Sequence, residues 1–134
     1  MRDNLPAPKR RTLATLLCLA ILTGSAAAEQ MPRPPGPVMM VHFDYYPKDR
    51  TRLHALEHRL ATAIKRAGAG ELGETELHID GNDGYLYMYG TDADKLYAVT
   101  GPILRASPMM AGAEVTTHHG ARAQTFGLND QRAR

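Results

Sequence analysis

His54-Ala-Leu-Glu57-His58 is the stretch whose residue types most directly invite chemistry. In some zinc peptidases the pattern His-x-x-Glu-His supplies two imidazole ligands and a general base. Two histidines four apart share one side of a helix and could grip one metal ion. The helix that would carry them has its apolar stripe at Leu53, Leu56, Leu60, Ile64 and Ala67. At about 100° per residue, His54 and His58 fall on the far side from that stripe, beside Thr62 and Lys65. A hydrolytic zinc also needs a third ligand and a walled site, and neither is visible in the sequence. The expected reading is a solvated helix face, with His54 and His58 kept only as candidate ligands.

Other constellations are weaker. Asp80-Gly81-Asn82-Asp83-Gly84 has the start of a calcium loop, yet it has no acid at the fifth position and Thr91 where a bidentate Glu is needed, so turn chemistry explains it. Met39-Met40, Met109-Met110 and His118-His119 suggest soft-metal carriage, because thioether and imidazole suit copper(I). In a strand, alternation would put the members of each pair on opposite faces, and methionine more often fills cores. Nucleophilic catalysis would have to use Ser107 or a threonine, and no phosphate loop, dinucleotide fingerprint or serine elbow occurs. A metal-binding protein and a small enzyme are thus the alternatives, and no cofactor is implied.

The stretch Tyr85-Leu-Tyr-Met-Tyr-Gly90 carries a different signal. Side chains alternate across a strand, so Tyr85, Tyr87 and Tyr89 share one face while Leu86 and Met88 take the other. A sheet with helices on its Leu/Met side and an open Tyr side is predicted, the hydroxyls keeping hydrogen-bond partners there.

Lys9-Arg10-Arg11, roughly 12 apolar residues from Thr12 to Thr23 and a small-residue end at Ala26-Ala27-Ala28 describe a secretory signal peptide over residues 1–28. Cleavage is expected after Ala28. The apolar run is shorter than the ~20 residues that cross a bilayer, so an uncleaved anchor is disfavoured and no membrane span is expected after cleavage. Arg10-Arg11 leaves the twin-arginine route open behind the general secretory one. A periplasmic or secreted location follows.

With Arg2, Lys9, Arg10, Arg11 and Asp3 removed, the totals of 16 basic and 14 acidic residues fall to 12 and 13, a net charge of −1. The basic pI belongs to the leader. A near-neutral chain with mixed charges offers no phosphate-tracking stripe, which argues against a nucleic-acid partner. Cys18 is the one cysteine and lies in the leader, so the exported chain has no disulfide or thiolate chemistry. Its 106 residues suffice for one domain with one core.

Residues 29–37 hold Pro32, Pro34, Pro35 and Pro37 and read as an extended spacer. Val38 to Tyr46 is a strand with Met39, Val41, Phe43 and Tyr45 inward and Met40, His42 and Asp44 outward. A helix follows from a cap at Asp49 to about Ala67, stopped by Gly68 and Gly70. Thr75 to Asp80 is a second strand with Leu77 and Ile79 inward, joined through Gly81-Asn82-Asp83-Gly84 to the tyrosine strand as a hairpin. Thr91-x-x-Asp94 caps a second helix along Leu96, Val99, Ile103 and Leu104, which Pro102 should kink or divide. Ala113 to His119 is the last strand, and residues 121–134 read as a poorly ordered tail.

Strand, helix, strand, strand, helix, strand with right-handed crossovers predicts an α+β ferredoxin-like two-layer sandwich over residues 38–120: an antiparallel four-stranded sheet with two helices on one face. The run Tyr87-Met-Tyr-Gly-Thr-Asp-Ala-Asp-Lys-Leu96 resembles the strand-to-helix junction of a group of small bacterial ferredoxin-like domains of unknown function, the likeness spanning roughly Val38 to Gly120. That resemblance implies a fold and no site.

In that strand order Met40, His42 and Asp44 lie beside Tyr85, Tyr87 and Tyr89, flanked by His78 and His118 on the two edge strands. The expected function is an exported, non-catalytic module that binds a ligand, a protein or a second copy of itself through this face. Tyr supplies large contact area at low entropy cost, and His would make a contact sensitive to mild acid. The competing expectation is that the tail shelters the face through Phe126 and Leu128 and that nothing binds there.

Overall fold

The structure, a computed structural model, describes residues 35–130. The expected signal peptide lies outside the described residues. Strand β1 (Met39–Asp44) sends Met39, Val41 and Phe43 inward, each no more than 2% exposed. Helix α1 (Arg50–Ala67) lays its buried Leu53, Leu56, Leu60 and Ile64 against them. Each buried leucine is worth roughly 1.5–3 kcal/mol of transfer free energy. The helix ends where Gly68 takes φ 60°, a left-handed conformation that costs glycine little, and donates its N–H to the Ile64 and Lys65 carbonyls.

Two short strands, β2 (Glu71–Leu72) and β3 (Glu76–His78), both pair with β4 (Asp83–Tyr89). Helix α2 (Ala93–Arg105) then crosses to β5 (Glu114–His119), and β6 (Arg122–Gly127) closes the order. The six-stranded sheet runs β2-β4-β1-β5-β6 with β3 also on β4, and every pairing is antiparallel. Leu86, Met88, Val115, Leu96, Leu104, Met110 and Leu128 complete the core. Both helices pack on this side, and among the described residues no helix lies over the opposite face.

Several expectations are corrected. Among the described residues the sheet has six strands rather than four. Strand β2 is only two residues long and lies between Gly70 and Gly73, too short to register as alternation. The expected tail forms β6, because Gly120 at φ 62° allows the chain to turn within two residues and pair His119 with Arg122. Leu128 then enters the core at 1% exposure and donates its N–H to the Ala113 carbonyl at 2.8 Å. Phe126 meets the Tyr97 ring edge-on, on the helix side, so this segment does not shelter the open face.

Leu77 and Ile79 are not core residues; they are 37% and 63% exposed. Leu77 does point to the helix side, but β3 is an edge strand, so Leu77 lies over Gly84 and Phe43 with its outer side left to solvent. Ile79 lies past the strand, in the turn that precedes Asp83. Val99, expected in the core, is partly buried against it. Asp49 sits at the start of α1 without a side-chain capping bond. The cap of α2 is Asp92 rather than Thr91, its Oδ1 accepting the Asp94 and Lys95 amides at 2.9 and 3.1 Å. Helix α2 continues through Pro102; the carbonyl of Ala98 that loses its partner belongs to an exposed turn, where water can serve it.

Candidate functional site

Period-two alternation along β4 sets out the open face: Asp83, Tyr85, Tyr87 and Tyr89 point away from the helices while Gly84, Leu86 and Met88 are buried. The pairing of β1 with β4 places Met40 opposite Tyr87, His42 opposite Tyr85 and Asp44 opposite Asp83. Met40 and His42 lie opposite tyrosines as expected, whereas Asp44 meets Asp83 instead. The His42 and Tyr85 rings stack with centroids 4.6 Å apart, and Tyr85 and Tyr87 are near-parallel at 6.1 Å. His78 meets Tyr85 edge-on at 5.8 Å.

The polar atoms form one chain. The His42 Nε2–H faces Asp83 Oδ2 at 2.8 Å, and Asp83 Oδ1 lies 3.1 Å from His78 Nδ1. His78 Nε2 is 2.7 Å from Glu76 Oε1, and Glu76 Oε2 accepts the Tyr87 hydroxyl at 2.6 Å. Both nitrogens of His78 face a carboxylate, and only the imidazolium can donate to both. Its pKa is accordingly raised, first by the Glu76 hydrogen bond and then, against the cost of desolvation, by Asp83. Glu76 is lowered chiefly by the Tyr87 hydroxyl and next by His78. Asp83 is lowered chiefly by His42, with His78 also contributing. The Glu76 carboxylate pushes the Tyr87 phenol up to about 12.

Asp83 and Glu76 are members of this chain that the sequence reading did not single out. The sequence pattern assigns Asp83 to the hairpin loop, whereas the loop spans residues 79–82 and Asp83 opens β4. Asn82 permits this tight turn at φ 51°. Glu76 was legible in principle, being two residues before His78 and so on its face.

His118 shares the open face, but β1 separates β5 from β4, and β5 is itself covered by β6 rather than being an edge. No ring contact or hydrogen bond joins His118 to the cluster among the described residues. Next to it, the Thr116 and Thr125 hydroxyls bond across β5 and β6 at 2.8 Å.

At the β2 end of the face a cavity of about 590 Å³ opens between Gly73, Glu74, Thr75, Glu76, Tyr87 and Tyr89. A second, of about 540 Å³, adjoins it through Gly73, Glu74 and Tyr89 and adds Pro35, Glu71 and Leu72. A β-carbon at Gly73 would lie 2.4 Å from Tyr89 Cε2, so any larger residue here would displace that ring.

The helical histidines belong elsewhere. His54 and His58 are exposed on α1, and His54 Nδ1 is 3.0 Å from Glu57 Oε2. The other Glu57 oxygen accepts the Thr75 hydroxyl, so this carboxylate ties α1 to the turn before β3. His58 lines a groove of about 510 Å³ with Pro102 and Ile103 between the helices. Met39 is buried and Met40 faces the open side, while His119 turns back toward Asp94 of α2 at 3.6 Å. Among the described residues no group of three or more His, Cys, Asp or Glu is placed to hold a metal ion. No helix among them is long and apolar enough to cross a membrane.

No protein-family model, curated protein or solved structure matches the chain.

Proposed function

We propose that the chain is an exported, non-catalytic binding module whose open sheet face receives a partner. The observation that carries this reading is the mutual engagement of the polar atoms of that face. Both oxygens of Asp83, both oxygens of Glu76 and both nitrogens of His78 are committed to one another or to His42 and Tyr87. Groups so engaged are poor general acids or bases, because each would have to break a charge-assisted bond before accepting or giving a proton. They are well suited to being covered, since burying a polar group is costly only when it loses its partners. The stacked Tyr85 and Tyr87 rings supply flat contact area beside them.

The order of elements over residues 38–120 supports a ferredoxin-like two-layer sandwich with β2 and β6 added, of the kind that the Tyr87-to-Leu96 junction resembles. Export rests on the basic, apolar and small-residue succession of residues 1–28. Mass spectrometry of exported material should then give a chain beginning at Glu29; an intact N-terminus recovered with membranes would contradict export by cleavage.

The test of the binding face is NMR of the Tyr85, Tyr87 and Tyr89 rings and the His42 and His78 imidazoles. The spectra are followed as the chain is concentrated and as periplasmic extract is added. Shifts on this face that are abolished by Tyr87→Ala, with the circular dichroism spectrum unchanged, support the reading. Rings that respond to neither addition sink it.

A further inference from the structure

Lysine and arginine are kept off one face of this protein, whereas carboxylates lie on both. Residues paired across antiparallel strands share a face. Glu71 therefore lies with Tyr89, Glu76 with Tyr85, Glu114 with His42, and Asp44 with Asp83, all on the open side. No lysine or arginine among the described residues joins these five carboxylates. All nine lie on α1 or α2, in the turn before α1, or at Arg122, which pairs with His119 on the helix side. Among the described residues the basic side chains on the open face are histidines, and His78 is already held between two of the carboxylates.

The carboxylates are also spaced. Asp44 and Glu114 lie at one end of the face, Glu71 and Glu74 at the other, with the stacked rings of His42, Tyr85 and Tyr87 between. The seven residues of β4 from Asp83 to Tyr89 span about 20 Å. Among the described residues neither Glu71 nor Glu74 makes a side-chain hydrogen bond or ion pair, and both line the cavity beside Tyr89. A carboxylate next to an accessible tyrosine ring is a favourable place for an ammonium or guanidinium group, which gains both the opposite charge and the negative face of the ring. Face-to-face pairing of two copies would instead set these carboxylates against each other.

We propose that the open face is a receptor for an extended basic segment of another protein. One of its lysine or arginine side chains enters the adjoining cavities lined by Glu71, Glu74, Tyr87 and Tyr89, and a second reaches Asp44 and Glu114 at the far end. The inference rests on the binding-face reading and names the class of partner. An extended chain rises about 3.4 Å per residue, so the two basic residues fall about six positions apart. Aromatic or apolar side chains between them lie over Tyr85 and His42.

The test titrates the exported chain with the peptide Lys-Ser-Tyr-Ser-Tyr-Ser-Lys, followed by NMR and calorimetry at two salt concentrations. The expected result is saturable 1:1 binding that weakens with salt and moves Gly73, Tyr87 and Tyr89 together with Asp44. The glutamate-ended analogue should not bind. Glu71→Gln combined with Glu74→Gln, both on exposed side chains that leave the core intact, should weaken binding about three- to tenfold. The proposal is overturned if the peptide leaves the open face unmoved, if it shifts the helix side instead, or if the glutamate-ended analogue binds equally. Equal binding by free lysine amide also overturns it, since that would describe a small-cation pocket rather than a receptor for a chain. Open-face signals that respond to protein concentration or periplasmic extract but not to the peptide reject the basic segment and leave the binding face standing; signals that respond to nothing reject both.

Discussion

Tyr87 donates its hydroxyl to Glu76 at 2.6 Å and so fastens the short edge strand β3 to the central tyrosine strand β4. The bond joins two residues on the open side of the sheet, where no helix holds β3 in place. His78 adds a second tie from the same strand to Asp83. Strand β3 is therefore held by side-chain chemistry on one face and by little packing on the other, where Leu77 is 37% exposed.

The phenol of Tyr87 should titrate late. Spectrophotometric titration is expected to show a tyrosine ionising near 12, well above the ordinary value of 10.0, and Tyr87→Phe should remove it. The stability this bond contributes is full below pH 10 and lost as the pH rises toward 12. If all tyrosines of the folded chain titrate together near 10, the bond to Glu76 does not persist in solution.

Stability should peak in mild acid. Folding raises the His78 pKa, so its contribution is full below the ordinary 6.5 and lost as the pH climbs through the higher folded value. Folding lowers Glu76 and Asp83, so theirs is full above their ordinary 4.5 and 3.8 and lost as the pH falls through the lower folded values. Melting temperature against pH should be highest between about 4.5 and 6.5. His78→Gln should flatten the alkaline limb; an unchanged limb would assign the loss to another group.

Capping of α2 should depend on one side chain. Asp92→Ala removes the acceptor of two amides and is expected to cost about 1 kcal/mol, within a usual range of 0.5–2. Thr91→Ala should be nearly neutral. Denaturant unfolding of the two variants decides between the two cap positions, and the reverse ranking would return the cap to Thr91.

Leu128→Ala should cost about 2–5 kcal/mol, as truncation of a fully buried leucine does, because the residue is 1% exposed beneath β5. Ile79→Ser, at a position 63% exposed, should change stability by no more than about 0.5 kcal/mol. A comparable loss for both in denaturant unfolding would place Ile79 in the core after all.

By itself the sequence determined which side of each long element is apolar. Three tyrosines alternating with Leu86 and Met88 define a two-faced strand, and Leu53, Leu56, Leu60 and Ile64 define the stripe that covers it, because side-chain direction follows from the local backbone period. Neighbouring strands with matched faces then brought Met40 and His42 beside the tyrosines. Depth and partnership were decided only by the tertiary structure. Leu77 and Leu128 look alike in a hydropathy pattern, yet one lies on an edge strand with its outer side open to solvent and the other is folded under β5 by a turn at Gly120. Asp83 reads as a loop residue until β4 is extended to include it, and the bonds to His42 and His78 span 41 and 5 residues. The absence of lysine and arginine, among the described residues, from a face that carries five carboxylates is likewise invisible in a near-neutral composition. Charge is a property of the residue, but the face it joins depends on strands brought together from distant parts of the chain.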